Sequence, residues 1–581
     1  MKLIFAARNA LIFLLAMTTT QLALAGGGMR PEVAEHGMVV SVHELASRAG
    51  VEILQAGGNA VDAAVATGFA LAVVFPQAGN IGGGGFMLIR MKDGQTHFLD
   101  YREKAPGAAT ATMYQDAQGN VIPDLSTIGY KAIGVPGSVK GLVYAEEHFG
   151  KLGLKRVIQP AIKLARDGYP IGWYDAQLFS HEKELADFPD SKRIFQNDGK
   201  GWHQTDIFKQ PELARTLERI AAAPDDFYTG KMAHELADFI QKGGGLITAD
   251  DLAHYEVKDR EPVRGTYRDL EVISAPPPSS GGIALLEILN ILEGFDLGKA
   301  GLDSAESVHL VAEAYRRAFY DRAQFLGDPE YNDLPVWELT DKKYAAAWRA
   351  SIQPQDASNS ANLTRPPVSA ALAQYAKAHP VAAAVKESTQ TTHYSVVDAD
   401  GNAVATTTTL NAYFGSRVTA GALGFLLNDE MDDFSAKPGS PNMFGLIQGE
   451  ANAVGPNKRP LSAMTPTIVL KNGKLWLLLG TPGGPTIITT VANTLINVED
   501  YGLDIQQAVN APRFHEQWMP DRIMLERNRF SSDTVSLLKE HGNSTSWGGI
   551  GDGECIEIDL DSGRRLGASD ARNANGKAVG Y

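Results

Sequence analysis

The chain of 581 residues is 44% hydrophobic and 21% charged, a composition typical of a folded globular protein and unlike that of a disordered one. Its formal net charge of −15 argues against nucleic acid and anionic membrane surfaces as partners, since both select for basic patches. No linker forces a division into domains. Because Cys555 is the single cysteine, an intramolecular disulfide is excluded, and we expect Cys555 to be a small buried residue, not a nucleophile.

The first 25 residues have the pattern of an export signal. Lys2 and Arg8 give a positive start, an apolar run follows at residues 10–17, and an A-x-A cleavage site precedes Gly26. The apolar run is shorter than the roughly 20 residues that a membrane-spanning helix needs, so a retained anchor is the weaker alternative. We therefore predict a signal peptide at residues 1–25 and an exported mature protein, periplasmic or secreted, with no membrane anchor.

Two helices and a glycine-rich segment are predicted near the start of the mature chain. Residues 44–55 have a helical pattern that ends at two glycines, and Asn59 caps a second run to Val74 that is apolar nearly all round, so this second helix should be buried against a sheet. The glycine run 79–85 follows. It precedes two predicted strands, residues 86–91 and 96–101. Neither a Lys-Ser/Thr pair nor a helix follows the glycines, so we reject a nucleotide-binding loop in favour of close backbone packing.

Signatures of metal sites and serine hydrolases are missing from the sequence. His-Glu pairs begin at His43, His181, His234 and His515, but none has a second histidine four residues later. The zinc-protease motif is therefore absent; we predict no metal and expect these pairs at the surface. No G-x-S-x-G elbow occurs. The pattern of residues 133–384 predicts outer helical layers and their connections.

A predicted hairpin brings several hydroxyl groups together. Two runs of β-branched residues flank the turn cluster at residues 398–401. With the turn centred near Asp400, paired positions sum to about 800, which sets Thr391 opposite Thr409 and near Asn411. Because threonine is common in strands, this cluster does not identify a functional site by itself.

A second hairpin is predicted around Asn472-Gly473, a pair typical of a type I′ turn. Its paired positions sum to about 945, which brings Ser462 beside Gly483 at one end of the sheet. The two successive glycines there, Gly483 and Gly484, can direct backbone N–H groups at a developing oxyanion, and each such donor contributes roughly 3 kcal/mol in acyl transfer.

Four motifs, in this order and spacing, give the chain a specific resemblance to a known family: Gln390-Thr-Thr-His-Tyr-Ser395, Asn428-Asp-Glu-Met-Asp-Asp-Phe434, Pro460-Leu-Ser462 and Pro482-Gly-Gly484. The chain resembles the γ-glutamyltranspeptidases over nearly its whole mature length. This resemblance implies an α+β fold, the four-layer αββα fold of the N-terminal nucleophile (Ntn) hydrolases. It also implies a precursor that cuts itself between Gln390 and Thr391. The products would be a large part, residues 26–390, and a small part, residues 391–581, held together as a heterodimer with one core.

The resemblance makes Thr391 the nucleophile of the mature protein. A threonine hydroxyl is a poor nucleophile at neutral pH and needs an adjacent base. After the cut, the α-amine of Thr391, with an ordinary pKa near about 8, can accept the hydroxyl proton directly or through water. Thr409 is then expected to hydrogen-bond to Thr391 and tune it, and family members use the pair that matches Gly483 and Gly484 as an oxyanion hole. The reaction needs no cofactor.

The substrates implied by the resemblance are glutathione and other γ-glutamyl compounds, which carry an α-ammonium and an α-carboxylate. The carboxylate is assigned to Arg102, which matches the arginine of the family's R-E-x-A-P motif, and to Ser462. The ammonium is assigned to Asn411, Glu430 and Asp433. The implied reaction passes the glutamyl group from Thr391 to water or to an amino acid or peptide acceptor.

This sequence departs from the family pattern at two positions. Many members have a second serine after the position of Ser462, where this chain has Ala463, and a hydrogen bond to a charged group is worth about 1.5–3 kcal/mol. Residues 438–445 resemble the family's lid loop, with Phe444 where several relatives have tyrosine. Two alternatives stay open: a cephalosporin (glutaryl) acylase of the same family, and a catalytically silent exported binding protein.

Overall fold

The computed structural model describes residues 29–367, 372, 374, 391–440 and 448–581. The predicted signal peptide at residues 1–25, Gln390 of the predicted cleavage site and Phe444 of the predicted lid lie outside the described residues. Within those residues, no helix combines the length and the apolar character needed to cross a membrane.

Two seven-stranded antiparallel sheets form the centre of the molecule. The sheet that carries Thr391 at one end, here called the nucleophile sheet, has the strand order Lys577–Gly580, Met38–Ser41, Thr392–Val397, Ala403–Thr409, Gly84–Arg90, Thr96–Asp100 and Lys258–Arg260. The second, here called the partner sheet, has the order Glu32–Ala34, Arg565–Ser569, Glu554–Ile558, Lys474–Leu479, Thr467–Lys471, Leu270–Ser274 and Val263–Tyr267. Smaller sheets pair Tyr169–Pro170 with Ile207–Phe208, and Ile523–Glu526 with Phe514–His515 and Thr545–Gly548.

Three apolar cores separate four layers. The core between the sheets takes side chains from both, including Phe86 and Leu88 of the nucleophile sheet and Ile468 and Leu478 of the partner sheet. A second core lies between the nucleophile sheet and one set of helices, and a third between the partner sheet and another set. Such helix–sheet–sheet–helix layering buries both faces of each sheet. The α+β, four-layer αββα architecture predicted from the resemblance is therefore confirmed.

The helices divide between the two outer layers. The layer on the nucleophile sheet contains Glu44–Gln55, Ala60–Val74, Ser138–Phe149, Leu154–Val157, Gln159–Asp167, Trp173–His181, Pro189–Phe195, Pro211–Ala222, Lys231–Lys242 and Ala249–Ala253. The layer on the partner sheet contains Gly281–Leu292, Leu297–Ala300, Ala305–Phe325, Val336–Thr340, Lys342–Ala350, Thr486–Glu499, Ile505–Asn510 and Ser532–Glu540.

The first two helices confirm their prediction. The second, Ala60–Val74, is buried at every position, as a helix that is apolar all round must be. Its start is fixed by a capping box, in which the Asn59 side chain accepts from the Asp62 N–H at 3.0 Å and the Asp62 carboxylate accepts from the Asn59 N–H at 2.7 Å. The glycines that follow also behave as predicted, since a Cβ on Gly83 would lie 2.1 Å from the carbonyl oxygen of Thr409. Only glycine permits this approach.

The first hairpin has the predicted register. Thr392 pairs with Thr408 and His393 pairs with Thr407, so the strand ends bring Thr391 opposite Thr409. The second hairpin follows the prediction only near its turn, where Asn472 has φ 54° and Gly473 has φ 74°. These two positive values are those of a type I′ turn.

A β-bulge in the second hairpin shifts its register by one residue. Leu470 pairs with Leu475 as predicted, but Val469 then pairs with Leu477, so Trp476 is the extra residue. The predicted pairing of Ser462 with Gly483 is therefore wrong, and the strands end at Thr467 and Leu479 before reaching either residue.

Two further predictions need correction. The segment 133–384 is not only helical, because the strands within residues 258–274 complete one edge of each sheet. The pair at His515 is not at the surface, since His515 is 2% exposed and Glu516 fully buried, and His43 of the first pair is buried as well. Cys555 is buried as expected. The part of the chain that the structure describes contains no cluster of three potential metal ligands.

Candidate active site

Thr391 lies at the end of the nucleophile sheet, directly before the strand Thr392–Val397. Its hydroxyl oxygen is 3.3 Å from that of Thr409, and both residues are buried. The Thr409 hydroxyl accepts a hydrogen bond of 2.9 Å from the Asn411 N–H. Because a hydroxyl has a single proton to donate, this leaves the Thr409 O–H free to point at the Thr391 oxygen.

The backbone around Thr409 is fixed by contacts outside the hairpin. The Asn80 side chain donates to the Thr409 carbonyl at 2.8 Å and accepts from the Gly83 N–H at 2.9 Å. Asn411 has φ 76°, a left-handed conformation that asparagine tolerates better than most residues. Its side chain donates to the Asp429 carbonyl at 3.1 Å, which ties the end of the hairpin to the acidic segment that follows.

Arg102 lies at the centre of a buried acidic cluster. Its guanidinium pairs with Glu430 through one terminal nitrogen and with Asp433 through the other, while Glu103 lies 3.5 Å from the first. The arginine also donates from Nε to the Pro460 carbonyl at 3.3 Å. The predicted carboxylate clamp and two of the predicted ammonium ligands are therefore in contact with each other.

The charges in this cluster shift one another's proton affinities. Burial raises the pKa of Glu430 well above its ordinary value and that of Glu103 to about 7, and the Arg102 guanidinium opposes both shifts. Burial by itself would lower the pKa of Arg102, but the surrounding carboxylates Glu430 and Asp433 raise it. Arg102 is thus permanently charged, and the acids compete for one cation.

Ser462 is held by the segment that precedes the helix Gly281–Leu292. The Ser462 carbonyl accepts from the Ser280 N–H at 2.8 Å and from the Ser280 hydroxyl at 2.6 Å, and the Ser462 N–H donates to Pro278. The Ser462 hydroxyl accepts from the Met464 N–H at 3.1 Å. That hydroxyl can still donate its proton, which is the role a carboxylate ligand needs.

Arg322 is a residue of this site that sequence reasoning missed. It lies in the long helix Ala305–Phe325, lines the same cavity as Arg102 and Ser462, and donates from Nε to the Ser280 hydroxyl at 2.8 Å. Its Nη1 is buried with no hydrogen-bond partner among the described residues. Burial lowers the pKa of Arg322 to about 10, which leaves it charged at neutral pH. No motif marks it, because the helical pattern around it is that of an ordinary core helix.

Gly483 and Gly484 form the backbone side of the site. Both have positive φ, 140° and 53°, and both carbonyls accept from the first N–H groups of the helix Thr486–Glu499. Among the described residues, the N–H groups of the two glycines donate no hydrogen bond. The start of the helix adds its positive dipole end, so the region favours developing negative charge.

His393 lies two residues from Thr391 but is unsuited to act as its base. The imidazole is fully buried, with Nδ1 2.8 Å from the Thr407 hydroxyl and Nε2 3.2 Å from the Ser395 hydroxyl. Burial lowers the pKa of His393 to about 3, so it is neutral across the physiological range.

One cavity collects most of the predicted site residues. It is lined by Arg102, Thr391, Thr409, Asn411, Glu430, Asp433, Ser462 and Gly484, together with Arg322 and Ala463. Gly483 lines an adjoining cavity, which also reaches Thr391. Thr391 therefore lies between a charged cavity and two successive glycines, an arrangement that can support acyl transfer if Thr391 is the nucleophile.

Comparison with known proteins relates this chain to one family. Residues 46–580 match the family model described as gamma-glutamyltranspeptidase. The glutathione hydrolase proenzyme of Escherichia coli (strain K12) is 49% identical over 556 residues, covering 95% of this chain and 93% of the relative. Among solved structures, the cephalosporin acylase from Bacillus halodurans superposes with a TM-score of 0.82 at 27% identity, covering 95% of this chain and 97% of that one.

A second solved structure covers only part of the molecule. Helicobacter pylori gamma-glutamyltranspeptidase matches with a TM-score of 0.56 at 42% identity, covering 59% of this chain and 98% of that one. Because the family model spans nearly all of the sequence and the curated relative is almost half identical, the chain belongs to the γ-glutamyltranspeptidase family.

Proposed function

We propose that this protein is a self-processing N-terminal threonine enzyme that cleaves the γ-glutamyl amide bond of glutathione and related compounds. The observation that carries the proposal is the Thr391 hydroxyl, 3.3 Å from that of Thr409, in a cavity that Arg102, Glu430 and Asp433 also line. Nucleophile, charge recognition and backbone donors meet there, as γ-glutamyl transfer requires.

Self-processing follows from the same hydroxyl. The Thr391 oxygen attacks the carbonyl carbon of Gln390, the C–N bond between the two residues breaks, and an ester forms while the Thr391 nitrogen takes a proton. This acyl shift frees the Thr391 α-amine, and water then hydrolyses the ester, which releases the Gln390 carboxylate and restores the Thr391 hydroxyl. The solved chain that matches only 59% of this sequence supports a mature protein of two parts, which we assign to residues 26–390 and 391–581 as a heterodimer.

Turnover repeats this chemistry on the substrate. The Thr391 oxygen attacks the γ-carbonyl carbon while its own α-amine accepts the hydroxyl proton. The N–H groups of Gly483 and Gly484 stabilise the oxyanion, and the Thr409 O–H orients the nucleophile. The amine leaves with a proton, and the glutamyl ester passes its acyl group to water or to an amino acid or peptide amine. No residue in these steps requires a cofactor.

Recognition of the glutamyl group uses charges that are already paired. Arg102 pairs with both Glu430 and Asp433, so an arriving zwitterion exchanges one set of ion pairs for another. Its ammonium binds to the two acids and Asn411, while its carboxylate binds to Arg102 and Ser462. Arg322, with a buried Nη1 that lacks a partner among the described residues, supplies a second cation on the carboxylate side. Export to the periplasm or medium fits the predicted signal peptide.

A glutaryl acylase is the second candidate. The match to a cephalosporin acylase over 95% of this chain favours it, as does Ala463 in place of a second serine. A glutaryl group lacks the α-amine, so it would leave Asp433 and Glu430 without a ligand cation. Comparing γ-glutamyl and glutaryl anilides separates the two functions, and we expect the glutamyl anilide to have the larger kcat/KM.

Intact-mass measurement with N-terminal sequencing tests the proposal most directly. The wild type should give two fragments, one beginning Thr-Thr-His-Tyr, whereas Thr391→Ala should remain one chain and lose at least about a thousandfold in turnover. Thr392→Val is the matched control, because the buried Thr392 hydroxyl has no hydrogen-bond partner among the described residues and the change keeps the volume. The control should process normally. A wild type that stays uncut and inactive would instead favour the silent binding protein.

A further inference from the structure

A second cavity, of about 450 Å³, meets the first at the nucleophile. Of the described residues, only Thr391 lines both. Gly484 lines the first cavity and Gly483 the second, so the two backbone donors lie on the boundary. If the acyl side of a scissile bond at Thr391 lies in the first cavity, the second cavity is available for its amine side.

The charged side chains that line the second cavity differ in how many hydrogen bonds they can still make to a ligand. Arg572 is saturated: Nε and Nη2 donate to the two carboxylate oxygens of Glu526 at 2.6 and 2.5 Å. Its Nη1 donates to Asp570 at 3.0 Å, and its remaining contacts go to backbone carbonyls. Arg572 and Glu526 thus neutralise each other and offer a ligand no unpaired charge.

Asp552 is the charged group in this cavity that can still accept hydrogen bonds. Its Oδ2 accepts from the Asn573 amide at 2.7 Å, whereas Oδ1 is buried with no hydrogen-bond partner within the part of the chain that the structure describes. Burial and the neighbouring Asp570 raise the pKa of Asp552 to about 8, while Arg513 opposes the shift. A carboxylate that burial makes costly to ionise gains most from a ligand cation, because the cation offsets that cost.

Asp552 is also tied to the oxyanion segment. Its N–H donates to the Thr481 hydroxyl at 2.7 Å, and Thr481 leads through Pro482 to Gly483. A Cβ on Gly483 would lie 3.5 Å from the Gly551 Cα, so the two loops pack against each other. Tyr174 and Tyr413 also line the cavity, and aromatic rings can attract an ammonium group.

We propose that the second cavity is the subsite for the amine side of the reaction, and that Asp552 binds the amino group of the departing and of the incoming amine. The same subsite serves both because the acceptor reaction is the reverse of amine release. Since the arginine there is saturated and the free group is an acid, the cavity favours peptide N-termini and simple amines. Free amino acids, which carry a carboxylate beside the ammonium, fit it less well. This inference rests on the proposed function.

In the transfer step the acceptor ammonium first loses one proton to solvent water. The neutral amine forms the C–N bond to the glutamyl carbonyl, the C–O bond to Thr391 breaks, and the amine's second proton passes to the Thr391 oxygen through the Thr391 α-amine. Asp552 accepts a hydrogen bond from the amine and acts as a binding residue throughout. Its removal should therefore weaken acceptor use more than donor hydrolysis.

Acceptor kinetics of Asp552→Asn test the proposal with a γ-glutamyl anilide as donor. The KM for glycylglycine should rise about ten- to a hundredfold, the loss expected for one charge-assisted hydrogen bond. Transfer should fall at least tenfold more than hydrolysis measured in the same assay. Asp400→Asn removes an exposed carboxylate paired with Lys92 at 3.1 Å, and it should change neither rate. An unchanged KM for glycylglycine in Asp552→Asn would overturn the proposal.

The wild type supplies a test that does not depend on a variant's folding. Glycinamide and glycine differ only in the carboxylate, and the second cavity should favour glycinamide when rates are compared at equal concentrations of neutral amine. A preference for glycine would overturn the inference. If the wild type neither processes nor hydrolyses the donor, the proposed function fails first, so the two failures are distinguishable.

Discussion

The two hairpins beside the site differ in how they contribute to it. The nucleophile hairpin, Thr392–Val397 with Ala403–Thr409, pairs without interruption and brings two side-chain hydroxyls together. The glycine hairpin, Thr467–Lys471 with Lys474–Leu479, has a bulge and stops before Gly483. Side-chain chemistry is positioned here by a regular ladder, whereas backbone donors become available only where a ladder has ended.

The largest effect should come from filling the end of the glycine hairpin. In Gly483→Ala the new Cβ would lie 2.3 Å from the Thr486 hydroxyl, at a φ of 140° that residues with a Cβ rarely adopt. The N–H must move, and the loss of one oxyanion donor lowers kcat by about 100- to 1,000-fold. The measurement is kcat on a γ-glutamyl anilide per mole of processed enzyme.

Gly473→Ala is the control for that change, because Gly473 lies in the turn of the same hairpin. It has φ 74° and open space around its Cβ position. The substitution should cost about 1 kcal/mol of stability through backbone strain and leave kcat unaltered. If Gly483→Ala kept wild-type kcat, the assignment of the oxyanion donor to this residue would be wrong.

A smaller effect, on stability, should come from the contact between the two hairpins. The His393 ring of one lies so near Gly480, the residue directly after the other, that a Cβ there would be 2.0 Å from it. Because burial lowers the pKa of His393 to about 3, from an ordinary 6.5, the unfolded state binds more protons between these values. The stabilisation is complete above pH 6.5 and is lost as the pH falls toward 3, by about 2 kcal/mol between pH 6.5 and pH 5.

The measurement for His393 is the free energy of unfolding against pH in the wild type and in His393→Gln. His43 also has a pKa lowered by burial, to about 4, and contributes to the wild-type slope. The difference in the free energy of unfolding between the two proteins isolates the contribution of His393, and this difference should narrow as the pH falls below 6.5. A difference independent of pH would mean that folding does not lower the pKa of His393.

The same two hairpins show what the sequence could and could not predict. The register of the nucleophile hairpin follows from the turn cluster at 398–401 and was predicted correctly. The bulge in the glycine hairpin could not be predicted. Residues 474–479 read Lys-Leu-Trp-Leu-Leu-Leu, a nearly uniform apolar run in which no alternation marks the register. Trp476 and Leu477 both enter the core on the helix side, and that packing selects the shift.

The charged pocket teaches a related limit. The resemblance assigns Arg102 to the ligand carboxylate and Glu430 and Asp433 to the ligand ammonium. The structure shows that Arg102 is paired with both acids. Arg322 and Asp552 carry no motif at all, and their relevance depends on which of their polar atoms stay unpaired after folding. Such atoms follow from tertiary packing, which local sequence patterns do not encode.

The smallest effect should come from restoring a hydroxyl at the edge of the charged pocket. Ala463 lines the first cavity beside Ser462 and is only partly buried, so Ala463→Ser can be accommodated without repacking a core. The new hydroxyl would add one donor for the ligand carboxylate, worth about 1.5 kcal/mol, and should lower the KM for a γ-glutamyl anilide about tenfold. A glutaryl anilide also carries a carboxylate, so both KM values should fall if the carboxylate lies at Ser462. A KM that falls for neither substrate would mean that the carboxylate binds elsewhere, with Arg322 the remaining cation in that cavity.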